Sequence, residues 1–149
     1  MIGVHVQSPL IWGIHIHAEN SVNSLSEVNE HSFLISRMGS GSHLMAYVLG
    51  KQENWNPADF NFKVVGNLPG ALAEMTPEKT ELFLWEKFTT KPWVDSGKFK
   101  RIGEVLSPWP CFAIIASENA LTEFSDLLFE QRDLVYKTSA MLQRSTSTI

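Results

Sequence analysis

Apolar residues along the chain fall into short, nearly continuous runs separated by polar turns. Ile11 to His17 is rich in β-branched and aromatic residues, and Phe33 to Ile35, Phe62 to Val65, Glu81 to Trp85, Arg101 to Val105 and Cys111 to Ala116 follow as further candidate strands. Runs of this length bounded by Gly, Pro, Asn and Ser predict strands covered on both faces. Val4 to Val6 predicts a further short strand, set off by the bend at Ser8-Pro9. Asn20 to His31 is polar and reads as a loop with one helical turn. Three helices are expected between the strands. One runs from Leu44 and ends at Gly50 as a C′ glycine, one is short and ends at Met75, and one has Thr90 or its neighbour as cap with Pro92 in its first turn.

Strand, turn and helix therefore alternate at intervals of about twenty residues, which is the pattern of parallel α/β organisation. The expected fold is a single three-layer α/β lobe with a mixed, mostly parallel sheet of about five strands, closed by Arg101 to Val105 and Cys111 to Ala116. Ala120 to Gln143 adds a C-terminal amphipathic helix, with Leu121, Phe124, Leu128, Val135 and Leu142 in a stripe and Glu123, Asp126, Arg132 and Lys137 opposite. The expected division is a lobe over 1–119, a helix over 120–143 and a disordered tail over 144–149.

A chain of 149 residues with 44% apolar residues supports one core. A net charge of −4 and the lack of any Lys/Arg cluster argue against nucleic acid as a partner. No run approaches the roughly 20 apolar residues of a membrane span, and Met1 to Leu10 lacks the layout of a secretory signal. A cytoplasmic location is the default expectation, although a piece of an exported protein would look the same. The lone Cys111 excludes an intramolecular disulfide and a zinc site built of cysteines.

Candidate chemistry centres on Ser36-Arg37-Met38-Gly39-Ser40-Gly41-Ser42-His43, where a strand passes into a helix. A helix start carries unpaired N–H groups and the positive end of the helix dipole, which suits a carboxylate, sulfonate or phosphate. Ser40 or Ser42 serving only as a cap is the plainer alternative. The glycine spacing matches neither the phosphate loop nor the dinucleotide fingerprint, and it misses the Gly-x-Ser-x-Gly pattern of a nucleophile elbow. His15 and His17, with His5 alongside, have the alternation of a metal-binding strand, but histidine on a polar strand face is ordinary. No metal, no cofactor and no catalytic residue is expected.

Four blocks carry a resemblance: Ser8-Pro9-Leu10-Ile11-Trp12-Gly13-Ile14-His15, Ile35 to Met45, Leu84 to Pro92, and Ser107-Pro108-Trp109-Pro110-Cys111-Phe112. Together they resemble the type 2 periplasmic-binding-protein superfamily, in a branch of substrate-binding proteins similar to those for thiamine-pyrimidine precursors, nitrate and sulfonates. The resemblance implies that the chain is the second lobe of a two-lobed binder with its hinge strands, and that most of a first lobe is missing. It implies a ligand cleft at the carboxyl ends of the strands, with Ser36, Arg37, Gly39, Ser40, Gly41, Ser42 and His43 on one side and Trp85, Glu86 and Trp109 contributing an aromatic wall and an acceptor. Trp85 as core, Glu86 as a solvated partner of Lys87, and Pro108-Trp109-Pro110 as a bend are the plainer roles for these residues.

The expected function is binding of a small anionic or zwitterionic metabolite without catalysis. A related branch makes the thiamine pyrimidine, but it carries a cysteine-rich motif that this chain lacks. Self-association as a homodimer is also expected, either beside ligand binding or, as the alternative function, in its place, because a solitary lobe leaves apolar surface uncovered.

Overall fold

A computed structural model describes residues 1–146. The chain forms two compact units, one spanning Leu10–Pro108 and the other made of Met1–Pro9 with 109–149. The sequence boundary was expected at 119.

The larger unit holds a five-stranded sheet in the order β4-β3-β5-β2-β6, built from β2 (Ile11–His17), β3 (Ser32–Ile35), β4 (Asn61–Val64), β5 (Glu81–Glu86) and β6 (Phe99–Leu106). β3 pairs in parallel with both β4 and β5, while β2 runs antiparallel between β5 and β6. Four of these strands thus point one way and β2 points the other. The sheet is mixed and mostly parallel by direction, as expected for an α/β lobe.

Alternation along each buried strand feeds two cores. Ile14, Ile16, Phe33, Ile35, Leu82, Leu84 and Val105 face Met45, Ala46 and Leu49 of α1 (Gly41–Glu53). Leu34, Phe83 and Phe99 face Leu68 and Ala71 of α2 (Leu68–Glu74), with Trp93 and Val94 of α3 (Lys87–Asp95) packed against the same cluster. Helices on both faces explain why the strands are apolar without a polar side.

Helix boundaries differ from expectation at both ends of α1, which begins at Gly41 ahead of Leu44, and at the start of α3. α1 continues past Gly50 to Glu53 and ends at Asn54, whose left-handed backbone (φ 59°) supplies the cap, with Trp55 N–H donating to the Gly50 carbonyl at 2.8 Å. Gly50 is needed for space rather than for conformation, because a Cβ there would lie 2.2 Å from Cζ of Phe60. α3 begins at Lys87, ahead of Thr90, because the carboxylate of Glu86 caps it, so Pro92 sits within the helix and not in its first turn. α2 begins at Leu68, where the Asn67 side chain accepts from Gly70 N–H.

In the smaller unit, β1 (Gly3–Val4) pairs antiparallel with β7 (Ala113–Ile114) as a separate two-stranded sheet. Cys111 to Ala116 therefore does not close the main sheet. α4 (Glu118–Thr146) packs on this ribbon through Arg132, whose guanidinium donates to the Ile2 carbonyl at 3.2 Å, and through Tyr136, whose hydroxyl fills the space where a Cβ on Gly3 would stand. Its backbone leaves the helical region at Phe124 (φ −134°, ψ 29°). The helix extends through Thr146, beyond the expected end at Gln143, and the rest of the expected disordered tail, 147–149, lies outside the described residues.

Candidate functional site

Strand direction decides where chemistry collects. β3, β4, β5 and β6 all end at one edge of the sheet, and β2 begins there, so this edge gathers the Ser36 to Ser42 turn, Gly66-Asn67, Glu86, Ser107 and Trp12. The carboxyl edge of an open α/β sheet is where ligands bind in this class of architecture.

The turn into α1 is tightly built. Gly39 takes φ 76°, which only glycine adopts without strain, and its N–H donates to Nδ1 of His43 at 3.0 Å. The Ser40 hydroxyl oxygen accepts from His43 N–H at 3.3 Å and lies 3.0 Å from the Ser42 hydroxyl. Ser42 Oγ in turn accepts from Ser36 N–H at 3.0 Å. Ser40 and Ser42 are both buried, so their hydroxyls hold the turn together instead of facing outward. Among the described residues, the N–H groups of Gly41 and Ser42 have no acceptor, and Arg37, exposed beside them, makes no ion pair. The first turn of α1 carries no acidic residue. The arrangement presents positive potential at a fixed position.

Trp12 completes this corner. Gly41 has no side chain, and a Cβ there would meet Cη2 of Trp12 at 3.0 Å, so the indole lies directly beside the helix start. In the first turn of α1, Nε2 of His43 is buried without a partner among the described residues. The signal in the sequence was the pair Trp12-Gly13 opening a strand next to a glycine-rich turn, and the sequence reading passed over it as a site residue.

Glu86 stands at the same edge with both carboxylate oxygens engaged. Oε1 accepts from Phe88 N–H at 3.0 Å, and Oε2 accepts from Thr89 N–H and from the Thr89 hydroxyl, each at 2.6 Å. Desolvation raises the affinity of this carboxyl for a proton, but the hydrogen bonds from Thr89 and Phe88 outweigh it and hold the group below its ordinary value. The amino end of α3 thus already has its anion, whereas that of α1 does not. Trp85 is half-buried, stacked on Phe83 at 5.2 Å between ring centres and packed against the second core. Trp109 belongs to the smaller unit.

The histidines take separate roles. His15 is fully buried, with Nδ1 3.1 Å from the Phe83 carbonyl and Nε2 2.9 Å from the Thr90 hydroxyl. The carbonyl only accepts, so Nδ1 carries the proton and Nε2 accepts from Thr90. Gly13, two residues earlier on the same face, makes the room: a Cβ there would be 2.5 Å from Cε1 of His15. Burial is the main reason its pKa falls to about 4, with the nearby Arg101 charge adding to it and the Phe83 carbonyl opposing. His17 Nδ1 accepts from Glu19 N–H at 3.2 Å, and His5 lies in the smaller unit.

Comparison with known proteins agrees with this architecture. A family model described as Ca3427-like PBP matches residues 12–105, the stretch that contains nearly the whole five-stranded sheet. No curated protein gives a significant match. Among solved structures, the Candida albicans CA3427 gene product, described as exhibiting the generic periplasmic binding protein fold, superposes with a TM-score of 0.85 at 26% identity, over 97% of this chain and 48% of that one. The alkanesulfonate-binding protein SsuA from Xanthomonas axonopodis pv. citri, bound to MOPS, gives 0.67 at 8% identity over 95% of this chain and 51% of that one. An ancestral arginine-binding protein bound to arginine gives 0.59 at 17% identity, over 95% and 57%. The latter two show the fold alone. The chain spans about half the length of these structures. Because the family match runs from the second residue of β2 to the last but one of β6, over the same strands that place Trp12 and the α1 turn at one edge, the chain belongs to the Ca3427-like PBP family of the type 2 periplasmic-binding-protein fold.

Proposed function

We propose that the chain is one lobe of a non-catalytic binder for a small anionic or zwitterionic metabolite, and that the anionic group seats at the amino end of α1. The observation that carries this reading is the pair of unaccepted N–H groups at Gly41 and Ser42, beside an exposed Arg37 without a carboxylate partner and under the indole of Trp12. Helix-end donors and a guanidinium suit a sulfonate, phosphate or carboxylate, and the indole suits an apolar or ring-bearing remainder. Ser36, Gly39, Ser40, Ser42 and His43 shape the turn from within. Glu86 fixes α3 at the same edge, whereas Trp85 packs with Phe83 in the core on the other face of the sheet from Trp12. That the fold neighbours bind a sulfonate buffer and arginine supports a ligand of this size and charge.

Absence of catalysis fits the same geometry. His43 accepts the Gly39 N–H at Nδ1, so that nitrogen is not placed to take a proton from Ser42, whose neighbours are Ser36 and Ser40.

The test is a calorimetric titration with alkanesulfonates, sulfate, phosphate and arginine, repeated on Arg37→Ala and Trp12→Leu. Saturable binding that weakens about tenfold on loss of the guanidinium is the expected result. Binding of equal strength in both variants, or no binding up to millimolar ligand, refutes the assignment.

A further inference from the structure

Exposed apolar surface on the larger unit collects at one end. Its large hydrophobic side chains that stand open to solvent are Met38, Leu44, Tyr47, Val64, Phe88 and Leu106. Met38 lies in the turn after β3, between Arg37 and Gly39, and Leu44 and Tyr47 are in the first two turns of α1. Val64 and Leu106 are the last residues of β4 and β6, and Phe88 is the second residue of α3, directly after β5. All six lie at or beside the carboxyl edge, where the N–H groups of Gly41 and Ser42 stand, and among the described residues none is at the amino edge. Met38, at 61%, and Phe88, at 67%, are the most open of them. Apolar residues exposed singly mean little, but a group collected around a polar binding point marks a ligand face.

The charges of the same edge are matched on one side only. Its carboxylates are Glu86 and Glu104. Glu86 accepts from Phe88 and Thr89 at the start of α3, and Glu104 is 2.8 Å from Nζ of Lys87 and 3.5 Å from Nε of Arg101. Arg37 has no ion-pair partner among the described residues. The edge thus has room for an anionic group but no free carboxylate for an ammonium group, which would be set beside Arg37 and the positive end of α1.

We infer that the ligand is an anion with an apolar body and no ammonium group. Its charge sits at the α1 turn, and its body crosses the end of β5 from Met38 to Phe88. The inference rests on the anion seat proposed above and narrows its ligand from anionic or zwitterionic to amphiphilic anions. β5 is the neighbour of β3 in the sheet, so the turn that carries Met38 and the first turn of α3 follow adjacent strands. An unbranched thioether such as Met38 adapts to an alkyl chain or a ring.

The experiment is calorimetric titration of the full chain with sulfate, with acetate, butyrate, hexanoate and octanoate below its micelle concentration, and with 6-aminohexanoate. Affinity should rise about twofold for each added methylene, less than the roughly fourfold of complete burial because the edge is open, so octanoate should bind about sixtyfold more tightly than acetate. The ammonium of 6-aminohexanoate should weaken binding about tenfold relative to hexanoate. Met38→Ser and Phe88→Ser, checked for folding by circular dichroism, should lower the gain per methylene, whereas a general weakening of the site would shift the whole series together. If sulfate binds in a manner that depends on Arg37 but affinity is flat from acetate to octanoate, the anion seat stands and the inference falls. The inference also falls if 6-aminohexanoate matches hexanoate, if the gain per methylene is unchanged in the Met38→Ser/Phe88→Ser double variant, or if the chain binds phosphatidylserine vesicles but not free octanoate. No binding of any of these anions refutes the seat, and the inference with it.

Discussion

Acid should weaken this fold through His15, and the size of the effect follows from its surroundings. The ring is fully buried and its pKa is about 4 against an ordinary 6.5, burial being the dominant cause. Between those two values the unfolded chain binds a proton that the native chain refuses, so stability is full above pH 6.5 and is lost as pH falls toward 4. At about 1.36 kcal/mol per pH unit, the whole window is worth about 3 kcal/mol, and the step from pH 7.5 to 4.5 about 2.5 kcal/mol. That is a large fraction of the 5–15 kcal/mol typical of a domain. The assay is urea unfolding at fixed protein concentration, read by tryptophan fluorescence through Trp12, Trp55, Trp85 and Trp93 in the larger unit. Wild type is compared with His15→Gln, which is neutral at every pH. Carboxylates titrate in both proteins, so the difference between the two slopes isolates the imidazole. Parallel pH profiles for the two proteins would refute the reasoning.

Thr90→Val leaves Nε2 of His15 buried without its donor and should cost about 1 to 3 kcal/mol, while Thr90→Ser should retain most of the stability; urea midpoints decide it. Gly13→Ala places a methyl 2.5 Å from the His15 ring, and a loss of about 1 to 3 kcal/mol is expected in the same assay. Glu86→Ala removes the cap of α3 and should cost about 0.5 to 2 kcal/mol, visible as a lower melting temperature. Gly41→Ala should shift the emission of Trp12 by crowding its indole with little change in melting temperature; an unchanged spectrum would mean that the ring does not lie where the packing puts it.

The strands were legible because burial on both faces leaves a plain mark: Phe33-Leu34-Ile35 and Leu82-Phe83-Leu84 have no polar alternation to confuse with a surface strand. The α1 turn was legible for the same kind of reason, since a strand end followed by two glycines and two serines can do little but start a helix. Helix ends were less so. Gly50 carries the composition of a C-cap, but Phe60, ten residues away, needs its space, and Asn54 supplies the left-handed turn. Glu86 read as a ligand acceptor or a solvated partner of Lys87, and its capping role was missed because it depends on where β5 stops. His15 looked like one of a polar pair, and only the pairing of β2 with β5 shows that its ring is locked between Phe83 and Thr90. The face of α4 that meets the ribbon was legible in part: Leu128 and Val135 of the expected stripe line the groove beside Ile2 and Ile114, but Arg132, expected on the opposite side, reaches the ribbon as well, and Phe124 stays exposed where the helical backbone breaks. The candidate site was therefore visible as a turn, but its indole neighbour was not, because Trp12 and Gly41 meet only across the fold.

The larger unit closes on itself where the chain enters and leaves it. Leu10 N–H donates to the Ser107 hydroxyl at 2.9 Å, and Ser107 N–H returns a bond to the Leu10 carbonyl at 3.0 Å. Both ends of this segment are thereby fixed side by side, and a host chain that receives it has to close a gap only as wide as two hydrogen-bonded strands. Such a closure carries little entropic cost, and segments of this kind tolerate insertion and circular permutation. Leu10 to Pro108 is in that sense a cassette: a sheet with its two helical layers that can be grafted wherever two neighbouring backbones already run together, or reconnected through a short loop and opened at another surface turn, with its carboxyl edge carried along intact.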